Sequence, residues 1–265
     1  MLSLVKELCL LNGVSSGEDE VRAFIREKAA PYAEAMRTDA LGNLIVFKKG
    51  AKATGNKLML TAHMDEVGFI VNDITEDGYL KFAPVGGIDP RVVIGKRVSV
   101  GLGRVQGAIG LKAYHLVSAE EEKNVPKFED MYIDIGARDR ADAEAAVALG
   151  ALVSFESDAV EFGCGMFKAK AIDDRVGCAV MLKLLEEELP MDCTFVFSTQ
   201  EEVGTRGAFG AAFSVTPEIA LVLEGTTAAD LPGTDSHRQV AVPGRGPVLS
   251  FMDGGTVYDL SLIHI

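Results

Sequence analysis

Four short segments of this chain hold the side chains that metal binding and water activation require. The first is His63-Met64-Asp65-Glu66-Val67-Gly68, which follows the apolar run Lys57 to Ala62. An imidazole at that position can ligate a metal, and Asp65, two residues on, can accept its second ring N–H and fix the tautomer. A hydrogen-bonded structural histidine fits the same spacing. The second segment, Lys170 to Arg175, carries Asp173 and Asp174 just ahead of a helical pattern. These two acids read either as metal carboxylates or as N-cap and first-turn acids stabilised by the helix dipole. In the third, Glu201 and Glu202 follow the apolar strand pattern Cys193 to Phe197. Consecutive residues of an extended chain point in different directions, so one carboxylate can bind a metal while the other faces an attacking water. The fourth segment repeats the arrangement, with Glu224 closing the apolar run Leu221-Val222-Leu223.

Those residues need a scaffold that brings them together. Ligand sites of open α/β sheets lie at the carboxyl ends of the strands. If the runs before His63, Glu201 and Glu224 are parallel strands of one sheet, all their terminal side chains share an edge. Helix-opening Asp173 and Asp174 then join them. One site explains four strand and helix ends more economically than four separate structural roles. One imidazole with three or more carboxylates suits zinc, manganese or cobalt, and is too poor in nitrogen for typical copper chemistry.

The rest of the chain divides around this framework. The first thirty residues read as two amphipathic helices broken at Gly13-Val14-Ser15-Ser16-Gly17, with Ser15 or Ser16 capping the second. Residues 68–162 change texture: short β-rich runs separated by Gly, Pro and charged turns, plus one helix-like stretch from Arg138 to Leu149. Close strand spacing of that kind predicts a small barrel or sandwich. Long apolar helix and strand patterns then return. The expected fold is α/β, a mixed and largely parallel sheet with helices on both faces. Its catalytic domain, residues 1–67 and 163–260, is split by an inserted β-barrel domain, residues 68–162.

Composition narrows the partners. A chain of 265 residues with 48% hydrophobic side chains has material for one large core or two smaller ones. With 26 Lys and Arg against 39 Asp and Glu, the net charge of −13 repels phosphate backbones and anionic lipid. Nucleic acid and membrane are therefore not expected partners. Cys9, Cys164, Cys178 and Cys193 form no CxxC pair, as reduced thiols of a cytoplasmic protein would. The apolar start is interrupted by Lys6 and Glu7, unlike a signal peptide. No stretch reaches the ~18 to 20 apolar residues of a membrane span.

The order of the motifs VSSGEDEVR, TAHMDEVGFIV, AIDDRVGCAV, STQEEVGTRGA and LVLEGTTAADLPG, with a β insertion after the second, resembles the glutamyl and deblocking aminopeptidases. That family includes the tetrahedral aminopeptidases and belongs to the co-catalytic two-metal exopeptidases. The resemblance implies two divalent metal ions (zinc, cobalt or manganese). It implies that His63 and Glu224 bind the first, with Asp65 orienting His63. It implies too that Asp173 bridges both metals, with a cis peptide bond to Asp174 expected, and that Glu202 binds the second. Glu201 is the implied general base, and the implied reaction releases N-terminal amino acids from peptides. The implied role of the insertion is to build dimers that assemble into larger hollow particles.

One departure from the family sets the main alternative. The family supplies a last histidine ligand in an Arg-Tyr-x-His-like context, and here the chain ends Ser261-Leu-Ile-His264-Ile265. Residues 261–265 read as a non-native tail, His264 is not expected to replace the ligand, and His115 and His237 read as loop residues. A catalytically incomplete subunit is therefore the alternative reading. A glycoside hydrolase with paired acids is a more distant one, since its carboxyls stand ~5 to 9.5 Å apart across the bond.

Overall fold

A computed structural model describes residues 1–52, 57–259 and 261. Along the chain its elements are α1 (Leu2–Cys9), α2 (Asp19–Ala29), β1 (Ala35–Thr38), β2 (Leu44–Lys48) and β3 (Leu58–His63). There follow β4 (Gly68–Ile74), β5 (Leu80–Val85), β6 (Arg97–Val100), β7 (Val105–Gly110), β8 (Tyr132–Asp134), α3 (Arg140–Ala146) and β9 (Leu152–Phe155). The last are β10 (Val160–Phe162), β11 (Met166–Lys168), α4 (Ile172–Glu186), β12 (Cys193–Ser198), α5 (Arg206–Val215) and β13 (Ile219–Val222). Met1–Glu224 make one compact unit and Gly225–Ile265 a second.

Among the described residues of the first unit, β1-β2-β12-β3-β13 form one sheet. Strands β12, β3 and β13 are parallel to one another, while β2 pairs antiparallel with β12 and β1 antiparallel with β2. Nearly every residue of β3 and β12 is buried, which is why their sequences are continuous apolar runs rather than alternating ones. One face carries α1, α2 and α4: Leu8, Ile25, Leu182 and Leu185 pack there with Phe195 and Phe197. Ala211 of α5 packs with Ile45, Met59 and Val196 against the opposite face. Phe195 and Phe197 are fully buried, and each contributes on the order of 1.5–3 kcal/mol of transfer free energy.

Strands β4-β5-β8-β7-β6-β9 close into a barrel with its own core around Phe69, Phe82, Val98 and Ile133. Closure leaves no exposed sheet edge within it. The helical stretch expected from Arg138 to Leu149 is shorter in the fold: Asp139 caps α3, its carboxylate accepting from the Asp142 N–H, and the helix ends at Ala146.

The second helix starts differently from expectation. Glu18 stands at its N-cap, and the hydroxyl of Ser15 donates to Asp65 at 2.6 Å instead of capping. The site has taken that hydroxyl.

In the second unit, the Asp253 carboxylate accepts from the N–H groups of Gly255 and Thr256, each at 2.7 Å, closing a tight loop. His237 lies in a single exposed turn, Ser236–Arg238, and His115 in another, Tyr114–Leu116, within the first unit. His264 lies outside the described residues.

Candidate metal centre

Parallel pairing places the chemistry. His63 stands opposite Ser198 in the β3–β12 register, so the two strands end at the same level. The Leu223 N–H donates to Thr61 at 2.8 Å and continues the β13 pairing up to the residue before Glu224. His63, the Glu201-Glu202 segment and Glu224 thus leave one edge of the sheet.

At that edge the Nε2 of His63 lies 3.2 Å from Asp173 Oδ1 and 3.1 Å from Glu224 Oε1. One ligand atom from each of these three residues can be chosen so that all lie within 4.8 Å of one another. His63 is buried, while Asp173 and Glu224 present open carboxylates. The Nδ1 of His63 is 3.0 Å from the backbone oxygen of Asp65 and 3.5 Å from its carboxylate. The imidazole is therefore held from behind, with Nε2 directed at the two acids. Burial opposes charge on His63, but hydrogen bonds to Asp173, Asp65 and Glu224 outweigh it and push its pKa up. One imidazole nitrogen with two carboxylates converging on it is a donor set that suits a divalent cation, and the three side chains fit that group.

Glu202 stands apart from this trio. It shares with Asp173 the wall of an adjoining cavity of about 440 Å³, which the barrel completes through Lys96, Arg97 and Phe155. Burial, followed by the neighbouring carboxylates of Asp173, Asp65 and Glu201, pushes Glu202 up to about 7 against the pull of His63. Burial likewise raises Glu201.

Asp173 and Asp174 separate in role. Their peptide bond is cis. Asp173 faces the imidazole, whereas Asp174 is fully buried, accepting the His63 backbone N–H at 3.3 Å and the Gly177 N–H at 3.0 Å. A Cβ at Gly177 would stand 2.5 Å from both Asp174 carboxylate oxygens, so glycine is required for this approach. Burial first, then the Glu224 charge, push Asp174 up to about 8.

Several supporting contacts carry no legible signal in the sequence, including the grip of Asp65 on the Glu201-Glu202 backbone. Asp65 Oδ1 accepts from Glu201 N–H at 2.9 Å, and Oδ2 from Glu202 N–H at 3.1 Å. Glu18 accepts the N–H of Gln200 at 3.1 Å. Asn43 accepts from Thr199 N–H at 3.0 Å and donates to Gly207 O at 2.9 Å. Glu66 is paired with Lys170 at 2.9 Å. The VSSGEDE motif pointed toward the α1–α2 loop, but only the fold shows which side chains it sends to the site.

Comparisons with known proteins point to one family. A family profile described as M42 glutamyl aminopeptidase matches residues 42–264. A protein named a putative aminopeptidase in Acetivibrio thermocellus is 40% identical, over 97% of this chain and 75% of its own length. The solved structure of an aminopeptidase from the archaeon Desulfurococcus kamchatkensis superposes with a TM-score of 0.87 at 34% identity, covering 93% of this chain and 68% of that one. The TET1 peptidase of Pyrococcus horikoshii, described as able to assemble into a tetrahedron or a large octahedral shell, superposes at 0.85 with 29% identity, over 99% of this chain and 78% of that one.

Proposed function

We propose, for a chain that belongs to the M42 glutamyl aminopeptidase family and is a metal-dependent aminopeptidase, that His63, Asp173, Glu202 and Glu224 hold two divalent cations and that Glu201 is the general base. The observation that carries this reading is the approach of Asp173 and Glu224 to the same imidazole nitrogen, at 3.2 and 3.1 Å.

Bound there, divalent cations would supply a Lewis acid for the scissile carbonyl and acidify the attacking water. The protein's own residues do the rest. Glu201 takes the proton of the attacking water and returns it to the leaving amine. Burial raises its carboxyl, which moves the base toward the operating pH. Asp65 holds the backbone of Glu201 and Glu202 in place while supporting His63 from behind. The cavity beside Asp173 and Glu202 gives the peptide a place to lie. Zinc, cobalt and manganese all suit the donor set. The inserted barrel, with exposed apolar side chains at Leu102 and Leu116, serves self-association into dimers and larger particles of the kind described for TET1.

The test is hydrolysis of a panel of amino-acyl p-nitroanilides by metal-stripped protein, with Co²⁺, Zn²⁺ or Mn²⁺ returned. Activity that appears only with metal and is lost in Glu201→Gln supports the proposal. Activity that survives both chelator and Glu201→Gln sinks it. Tight metal binding without turnover would instead identify an incomplete subunit.

A further inference from the structure

The Gln200–Glu202 turn presents three consecutive backbone N–H groups, and all three end on buried carboxylates. Those of Glu201 and Glu202 reach Asp65. That of Gln200 reaches Glu18 Oε1 at 3.1 Å, across a sequence separation of 182 residues. The same Oε1 accepts the Ser16 N–H at 2.8 Å. Glu18 is only 3% exposed, at the N-terminal end of α2, where a helix favours negative charge.

Gln200 needs such an anchor. Its φ of 54° puts a non-glycine residue in the left-handed region, where the surrounding structure must hold the backbone. Ser16, at φ 75°, is in the same left-handed region and donates to the same carboxylate oxygen. One side chain therefore ties two left-handed turns together, one of them immediately before the proposed base.

From this geometry we infer that Glu18 is a positioning residue for Glu201, acting through the Gln200 backbone N–H. The inference rests on the general-base reading above but concerns a group that touches neither metal nor substrate. It also specifies what Glu18 must supply. Both bonds end on one oxygen, so an acceptor at the right reach is sufficient and the negative charge is not.

Glu18→Gln keeps that oxygen as an amide carbonyl, Glu18→Asp withdraws it by one methylene, and Glu18→Ala removes it. Two readouts separate the outcomes. Amide hydrogen exchange of residues 199–203, followed without metal, reads the turn whether or not the chain turns over substrate. Faster exchange in the Ala and Asp variants, with near-native exchange in Gln, is expected. With metal restored, kcat should fall about a hundredfold in Ala and Asp while KM stays near native and metal content is unchanged, and Gln should recover most of the loss. If Ala does not fold, the contrast between Asp and Gln carries the test. Native exchange in both Ala and Asp overturns the inference, and so does a Gln variant as loose as Asp. Glu201→Gln, assayed beside them, isolates the premise: if that variant stays active, the general-base reading fails while the exchange result for Glu18 stands by itself.

Discussion

The carboxylate of Asp65 is fully buried behind His63 and accepts the backbone N–H of Glu201 at 2.9 Å. It links the end of β3 to the turn after β12. It also takes Glu202 N–H at 3.1 Å and the Ser15 hydroxyl at 2.6 Å. Burial opposes its ionisation, but hydrogen bonds from His63, Ser15 and Glu201 outweigh it and hold its pKa low. Asp65→Asn turns an NH₂ toward donors that need an acceptor. We expect a stability loss of about 2–4 kcal/mol from buried bonds to a charged group and a kcat reduced about a hundredfold. Chemical denaturation and steady-state kinetics on one preparation measure both. A variant with native stability and kcat would mean that this carboxylate organises nothing.

The sheet and its chemistry were legible for specific reasons. Strands β3 and β12 are covered on both faces, so they appear as unbroken apolar runs, and an acid or histidine closing such a run stands out. The barrel was legible from close strand spacing. What stayed hidden depends on contacts between remote residues. Ser15 has the local grammar of a helix cap, yet its hydroxyl is 2.6 Å from Asp65. Adjacent Asp173 and Asp174 are the same residue type with the same local signals, so the family resemblance, not the residues themselves, singles out Asp173. The fold leaves that one facing the imidazole and buries the other. Glu18 is an ordinary acid at the start of a helix until Gln200 arrives beside it.

Asp174 predicts a pH dependence. Its pKa is raised by burial and then by Glu224 to about 8, above the unfolded value of about 3.9. A raised folded pKa means that the folded state binds the proton more tightly. The associated stability is complete below pH ~4 and is lost as pH rises toward about 8. In chelator, wild-type protein should become progressively easier to unfold across that window, and Asp174→Asn should flatten the slope. The variant is also expected to be less stable at pH 4, because one of the two backbone donors, from His63 or Gly177, loses its acceptor. Equal slopes in the two proteins would place the titration elsewhere.

Assembly is testable on the barrel surface. Leu102 is fully exposed and Leu116 largely so, and neither belongs to the barrel core around Phe69 and Ile133. A stable interface buries on the order of 1,200–2,000 Å² with an apolar centre, which such residues are placed to supply. The paired change Leu102→Asp with Leu116→Asp should shift the mass seen by light scattering toward a single chain while the far-UV spectrum stays native. An unchanged oligomer would move the interface off this surface.

Arg175 holds the N-terminal helix against the site, and its replacement separates shape from charge. The guanidinium is completely buried: Nε donates to Met64 O at 2.8 Å, Nη1 to Leu8 O at 2.6 Å, and Nη2 lies 3.6 Å from Glu66. The hydrogen bonds join the residue after His63 to the end of α1, and the Nη2–Glu66 approach is an ion pair beside the Glu66–Lys170 pair. Lysine carries the same charge, but all its donors sit on one nitrogen, which cannot reach the separate groups that three guanidinium nitrogens face. Arg175→Lys should therefore leave backbone carbonyls unpaired and cost about 2–4 kcal/mol of stability, a range set by one to three lost buried bonds. Arg175→Met, which also strips a positive charge from beside Glu66, should cost more, about 3–5 kcal/mol. Denaturant midpoints rank the two. If Lys is as stable as Arg, the charge near Glu66 dominates and the hydrogen bonds to α1 are incidental. If Met is as stable as Lys, the reverse holds and Lys170 alone balances Glu66.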